Sequence, residues 1–219
     1  MANELCEGRA DIFAFEPIPD IYQALKLNAD RFNSRKIKTF QICLGTKSQI
    51  ANFTYYPNAT AISSLYPDLS GREKGQLATT VMENLAKLPF PIDRIQFLPE
   101  PLLSFAIDRM VDFAYFEEQV ECRMKTVSQL IAEQSVNKID LLKIDVEKAE
   151  LDVIRGIETD DWSKIKQIVV EVHDIDRRVE LISNLLVNNG FITNREQDPM
   201  FRHLNVHNIY AKKVSRTSI

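Results

Sequence analysis

Two apolar runs, IDLLKIDV (Ile139–Val146) and IKQIVVEVH (Ile165–His173), decide the fold. They start about 26 residues apart with a helix-length segment between them, the spacing of parallel neighbours joined by a crossover helix. Their near-continuous apolar composition belongs to strands covered on both faces. Downstream, Val179, Ile182, Leu185 and Leu186 mark an amphipathic helix that Gly190 can end just past its C-cap. Strands near Phe191–Glu196 and Val206–Lys212 follow.

The same alternation runs upstream. Asp11–Glu16 (DIFAFE) is a short aromatic strand stopped by Pro17 and Pro19, with Asp20 as the expected N-cap of a helix marked by Ile21, Leu25, Asn28 and Phe32. Ile37–Leu44 reads as the next strand, and Gln49–Tyr56 as a further, alternating one. Val120–Val127 reads as a strand and Ser128–Gln134 as a short helix. The whole predicts an open, doubly wound α/β sheet in a single domain, residues 1–219. Residues 57–101 break the rhythm: they hold six of the nine prolines and a charged helical stretch, Arg72–Lys87, and are expected to form an insertion or lid.

Composition narrows the function. With 45% apolar and 26% charged residues, 219 residues suffice for a globular core. The net charge of −4 supplies no positive field for nucleic acid or anionic membranes, so neither partner is expected. No apolar run approaches the roughly 18–20 residues that span a bilayer, and Met1–Gly8 is too polar for a signal peptide, so a cytoplasmic location is expected. Cys6, Cys43 and Cys122 form no C-x-x-C pair and read as small core residues of a reducing compartment.

In open α/β sheets ligands bind beyond the carboxyl ends of the strands, and three groups stand there. Glu16 ends the first strand, where a carboxylate can accept both hydroxyls of a nucleotide ribose or else cap the following helix. Lys143 and Asp145 share one side of the next strand, with Glu147 just beyond it. Glu150 and Asp152 suit the dipole of the helix that follows. Glu171 and His173 share one side of the strand after that, and if these strands are neighbours Asp145, Glu171 and His173 converge. A histidine there can take a hydroxyl proton while a carboxylate orients it; a purely structural His–Glu pair is the other reading. The same oxygen-rich group, with one imidazole, could hold a divalent ion such as Mg²⁺, but no recognisable metal-ligand spacing demands one and none is expected. His203 and His207 carry no functional signal, and no G-x-S-x-G, Walker or H-E-x-x-H motif is present.

These residues resemble the FkbM-type methyltransferases, which use S-adenosylmethionine in natural-product and glycan pathways. The resemblance is carried by DIFAFEPIPDIYQALKLN (Asp11–Asn28), LLKIDVEKAELDVIRGI (Leu141–Ile157), IKQIVVEVHD (Ile165–Asp174) and HNIYAKK (His207–Lys213). It implies a Rossmann-like methyltransferase sheet, mostly parallel with an antiparallel C-terminal strand. It also implies S-adenosylmethionine as cofactor, with Glu16 on its ribose and Asp145, Glu171 and His173 beside the transferred methyl. The expected reaction is O-methylation of a small natural product or sugar, a small-molecule acceptor that a polyketide or peptide synthetase can carry. Tyr55, Tyr56, Ser63, Ser64 and Tyr66 in the insertion are candidate acceptor contacts.

Two departures stand out. Lys148 occupies a position where many members have Gly, as in members that accompany synthetases. Only fifteen residues precede Glu16, so the family's first strand and glycine-rich turn are expected to be absent, Met1–Gly8 reading as the tail of the first helix. A non-catalytic, truncated remnant that binds a partner is therefore the alternative. A nicotinamide oxidoreductase would need a G-x-G-x-x-G that this chain lacks.

Overall fold

In the computed structural model residues 10–32, 36–68, 70–87, 92–197 and 205–214 are described. Strand β1 (Ile12–Phe15) stops at Pro17, and Pro19 takes the first position of helix α1 (Pro19–Arg31), where a missing N–H costs nothing. Ile18 rather than Asp20 is the N-cap, and Asp20 sits inside the first turn, suiting the helix dipole. β1 pairs in parallel with β2 (Ile37–Phe40), and Phe40 stacks on Phe13 and Phe15 at 6.1 and 5.3 Å. The single strand expected over Ile37–Leu44 divides after Phe40. Its end, β3 (Cys43–Leu44), joins a separate three-stranded sheet with β4 (Gln49–Tyr55) and β5 (Glu118–Lys125), in the order β3-β5-β4.

The chain forms two compact units, the second covering Phe53–Gln119 and the first the rest, so the boundary falls within β4 and β5. The second unit is wider than the predicted insertion because residues beyond 101 continue it as a helix. It contains α2 (Arg72–Asn84) and α3 (Glu100–Ala114), and its core gathers Leu85, Ile107 and Val111 with Leu77, Val81 and Leu103 packed against them. The signal for α3 was the row Leu103, Ile107, Val111, one residue per helical turn.

In the first unit α4 (Val127–Glu133) opens on a capping box: Thr126 Oγ1 accepts from the Gln129 N–H at 3.0 Å, and Gln129 Oε1 accepts from the Thr126 N–H at 2.9 Å. The remaining elements are β6 (Leu142–Ile144), α5 (Glu150–Arg155), β7 (Gln167–His173), α6 (Arg178–Asn188), β8 (Phe191–Glu196) and β9 (Val206–Lys213). They form a four-stranded sheet in the order β6-β7-β9-β8. β6 and β7 are parallel with Leu142 opposite Ile168, and β9 runs antiparallel to both β7 and β8. The parallel pair and the antiparallel C-terminal strand agree with the sequence reading.

The core lies on β7. Ile168, Val170 and Val172 are fully buried, as are Ile182 and Leu186 of α6 and Ile209 of β9. Trp162 meets Phe191 edge-on at 6.0 Å, and Lys213 closes that corner by donating to the Trp162 and Asn189 carbonyls at 3.1 and 2.6 Å.

One expectation is corrected. The architecture is mixed α/β, but the described strands form three hydrogen-bonded sheets rather than one continuous doubly wound sheet. Among the described residues β1 pairs with β2 and β6 with β7, and no ladder joins β1 to β6. The reading of Met1–Gly8 as the tail of a helix lies outside the described residues.

Gly156, at the end of α5, lies against the turn after β3, where an added Cβ would stand 2.2 Å from the Gly45 carbonyl oxygen. Backbone atoms cannot yield cheaply, so Gly156→Ala is expected to lower unfolding free energy by about 1–3 kcal/mol. Gly75, inside α2 with nothing within 4 Å, predicts the opposite. Gly75→Ala should raise stability by roughly 0.5–1 kcal/mol in urea titration.

Candidate active site

β6 and β7 bring the predicted acids together because their register fixes them. Lys143 lies opposite Val169, so two residues on Asp145 comes level with Glu171, on the same side of the sheet. Lys143 Nζ reaches Asp145 Oδ2 at 2.5 Å, an exposed pair that orients the carboxylate more than it stabilises the fold. Glu171 is held above the usual carboxylate range, first by burial and then by the negative charges of Asp145 and Glu147, against the pull of His173 and Lys143.

The centre of the site is Glu150, a residue expected only to complement a helix dipole. Its side chain is fully buried. Oε1 accepts from His173 Nδ1 at 2.7 Å and from the His173 and Lys148 backbone N–H groups at 3.2 Å each. Oε2 accepts from Arg178 Nη1 at 3.0 Å, and the same guanidinium nitrogen donates to the Lys148 carbonyl. A sequence signal existed: Glu150, Val153, Ile154 and Ile157 recur at helical spacing, and the three apolar members are buried. A carboxylate on the core face of a helix needs partners, and here they come from β7 and α6.

His173 is closed from its other side by Glu147, whose Oε2 lies 3.0 Å from Nε2. The ring therefore bridges two carboxylates. Burial favours the neutral ring, but the hydrogen bonds and charges of Glu147 and Glu150 outweigh it and push its pKa up to about 10. Burial likewise raises the carboxyl of Glu150, and the His173 hydrogen bond, two backbone N–H donors and the His173 charge reverse this, leaving it below the usual range. The sequence offered Asp145 or Glu171 as the carboxylate beside His173; the ring's hydrogen-bond partners are Glu147 and Glu150, because the chain turns sharply after β6. At neutral pH the imidazole is a cation with both nitrogens engaged, which leaves no lone pair for an incoming proton.

That turn depends on Lys148, whose φ of 63° lies in the left-handed region glycine favours. This explains why glycine suits the position in similar sequences. Lysine is held there by the Glu150 contact at its N–H and the Arg178 contact at its carbonyl. Asp176 and Arg177, just before α6, are also left-handed, with φ of 52° and 60°. Left-handed backbone thus flanks the Glu150 cluster on two segments.

Glu16, at the carboxyl end of β1, accepts from the Ile18 N–H through Oε1 at 2.8 Å, and burial holds its carboxyl above the usual range despite that bond. Beside it, Pro17, Gln41, Ile50, Glu121, Cys122 and Arg123 line a cleft of about 320 Å³. In the second unit Tyr55, Tyr56, Ser63 and Ser64 are buried. Ser63 Oγ accepts from the Tyr56 N–H at 3.0 Å, and the Thr54 and Ser64 backbones exchange hydrogen bonds, so these groups build the unit itself. Tyr66 is half exposed. His207 is buried on β9 against Arg195, and His203 lies outside the described residues. No helix of the described residues is long and apolar enough to cross a membrane.

The Methyltransferase FkbM domain family model matches residues 1–193. The chain is 32% identical to the 31-O-demethyl-FK506 methyltransferase FkbM of Streptomyces tacrolimicus, over 93% of this chain and 72% of that protein. It is 32% identical to the AMB antimetabolite synthetase AmbE of Pseudomonas aeruginosa, over 93% of this chain but only 9% of the synthetase. It is 27% identical to methyltransferase sdnD of Sordaria araneosa, over 86% of this chain and 67% of that protein. No solved structure matches. The chain belongs to the FkbM methyltransferase domain family, and these relatives support a methyltransferase function.

Methyltransferases of this type generally depend on S-adenosylmethionine. The residues present fit its ribose: Glu16 spends one oxygen on Ile18, and among the described residues no hydrogen bond occupies the other, leaving an acceptor for hydroxyl donors at a strand's carboxyl end.

The clamp predicts a pH signature. His173 has a folded pKa near 10 against an ordinary value of 6.5, so its contribution to stability is complete below pH 6.5 and is lost as pH rises through 10. Glu150 is held below its ordinary 4.5, so its contribution is complete above pH 4.5 and is lost on acidification. Stability from this cluster should therefore peak between pH 4.5 and 6.5. Proton NMR of His173 should give a midpoint near 10 in the native chain and a lower one in Glu147→Gln, which keeps the buried partner but removes the outer charge.

Proposed function

We propose that this chain is an S-adenosylmethionine-dependent methyltransferase acting on a hydroxyl oxygen of a small natural product or sugar. The observation that carries the reading is the convergence of Asp145, Glu147, Glu171 and His173 where β6 and β7 end, in a member of a methyltransferase family. The cofactor, when bound, supplies a sulfonium methyl open to direct displacement. Glu16 would hold its ribose hydroxyls through the carboxylate oxygen that does not bind Ile18. Asp145, steadied by Lys143, would orient the acceptor hydroxyl beside the methyl.

The proton needs an acceptor, and we assign that role to Glu171 in place of His173. A carboxylate raised by burial and by two neighbouring negative charges is a better base than an ordinary one, whereas a doubly bonded imidazolium is not a base. His173 would act as a positioning residue, holding Glu147 and the turn after β6. Alignment supplies the larger part of the rate, since the step needs oxygen and methyl held about 3–3.5 Å apart in line.

The names of two relatives support this choice of acceptor. One is named a 31-O-demethyl-FK506 methyltransferase, and another is an antimetabolite synthetase of which the matching region is a small part. An acceptor of that chemistry, free or carried on a synthetase, is the expected substrate.

Calorimetry with S-adenosylmethionine tests the cofactor. Glu16→Gln should weaken binding by roughly 10- to 100-fold, the value of a hydrogen bond to a charged group. With an acceptor in hand, Glu171→Gln should lower kcat by about 100-fold or more with little change in cofactor affinity. A chain that binds no S-adenosylmethionine would overturn the reading in favour of a non-catalytic binding module.

A further inference from the structure

Two thiols stand apart from this chemistry. Cys43 on β3 and Cys122 on β5 are buried, and their Sγ atoms lie 3.3 Å apart. The strands are parallel with Cys43 opposite Met124, so Cys122, two residues before Met124, presents its side chain on the same face. Both residues sit on hydrogen-bonded backbone, and a disulfide requires the sulfur atoms to close to about 2.05 Å. Cys122 also lines the 320 Å³ cleft beside Pro17, which gives a small oxidant a way in.

We propose that Cys43 and Cys122 are an oxidative modification site that closes into a reversible disulfide. The nucleophile is Cys122. Its thiol is held below the usual range by its hydrogen bond with Cys43, whereas that same bond, then burial and the Cys122 charge, holds Cys43 well above it. With hydrogen peroxide as oxidant, the Cys122 thiolate attacks one oxygen, the O–O bond breaks, and the released hydroxide leaves as water after taking a proton. Cys122 is now a neutral sulfenic acid, so the charge that kept Cys43 protonated is gone. The Cys43 sulfur attacks the Cys122 sulfur, the S–O bond breaks, and the Cys43 proton leaves with the hydroxyl as a second water. Two thiols are oxidised and one peroxide is reduced.

The place of this pair in the chain gives the bond its consequence. The two cysteines are 79 positions apart, and the ring they close contains all of Phe53–Gln119, the second unit. The disulfide would join β3, which precedes that unit in the chain, to β5, along which the chain returns from it. In a reducing compartment the pair stays open, and peroxide or a low-molecular-weight disulfide closes it.

The test uses the intact chain. After exposure to hydrogen peroxide, remaining thiols are alkylated and peptides are mapped by mass spectrometry without reduction. The expected product is a Cys43–Cys122 peptide pair lighter by about two hydrogens, restored by dithiothreitol, with Cys6 still alkylated. A protease nick inside the second unit should then leave two fragments that migrate together on a gel until reductant is added. In Cys43→Ser the oxidation of Cys122 should stop at the sulfenic or sulfinic acid. Over-oxidation of Cys122 in the unmutated chain, pairing with Cys6, or three unreacted thiols would each overturn the proposal. So would nicked fragments that separate without reductant.

Discussion

A single buried carboxylate organises this structure. Glu150 has no exposed surface and answers to three segments at once: the turn after β6, the end of β7 and the start of α6. An ionised carboxylate in such a place is tolerable only if its hydrogen-bonding capacity is met and its charge opposed. Arg178 and the His173 cation oppose it, and two backbone N–H groups complete the set. Once the three segments are tied, the chain past Ile144 cannot continue as a strand. It must bend through the left-handed Lys148 and present Asp145 and Glu147 at the sheet's edge.

The same interaction explains the electrostatics around it. Glu147 and Glu150 together keep His173 protonated, so the ring contributes a fixed positive charge rather than a titrating one at neutral pH. Asp145, Glu147 and Glu171 then share a small space in which burial and like charge raise Glu171. The site is therefore a graded set of acids around an imidazolium. That arrangement suits accepting a proton from a hydroxyl, provided the electrophile arrives with its own positive charge. Glu16 stands at the end of a different sheet, and its role is separable from this cluster.

Much of this was legible in the sequence. The runs over Ile139–Val146 and Ile165–His173 placed the parallel pair, and the parity of Lys143 with Asp145 and of Glu171 with His173 put them on one side of it. Residues 57–101 were recognisable as a departure from the framework, although the helix through Ile107 and Val111 extended it. What misled was locality. Glu150 looked like a helix-dipole acid because its partners, His173 and Arg178, lie 23 and 28 residues away. Tyr56, Ser63 and Ser64 read as ligand contacts because they are polar and aromatic in a loop-rich stretch, and what the sequence did not show is that they also close hydrogen bonds of the second unit itself.

By itself the sequence determined the family, the parallel β6–β7 pair with its crossover, and which acids stand at the strands' ends. Periodicity, strand parity and short motifs are local, and the chain's own steric rules enforce them wherever it folds. Only the tertiary structure decided that His173 is a clamped cation, that Glu150 is the hub, and that Cys43 meets Cys122 across two strands. Each of those facts depends on groups far apart in the chain being desolvated together, and desolvation is a property of the packed interior rather than of any segment.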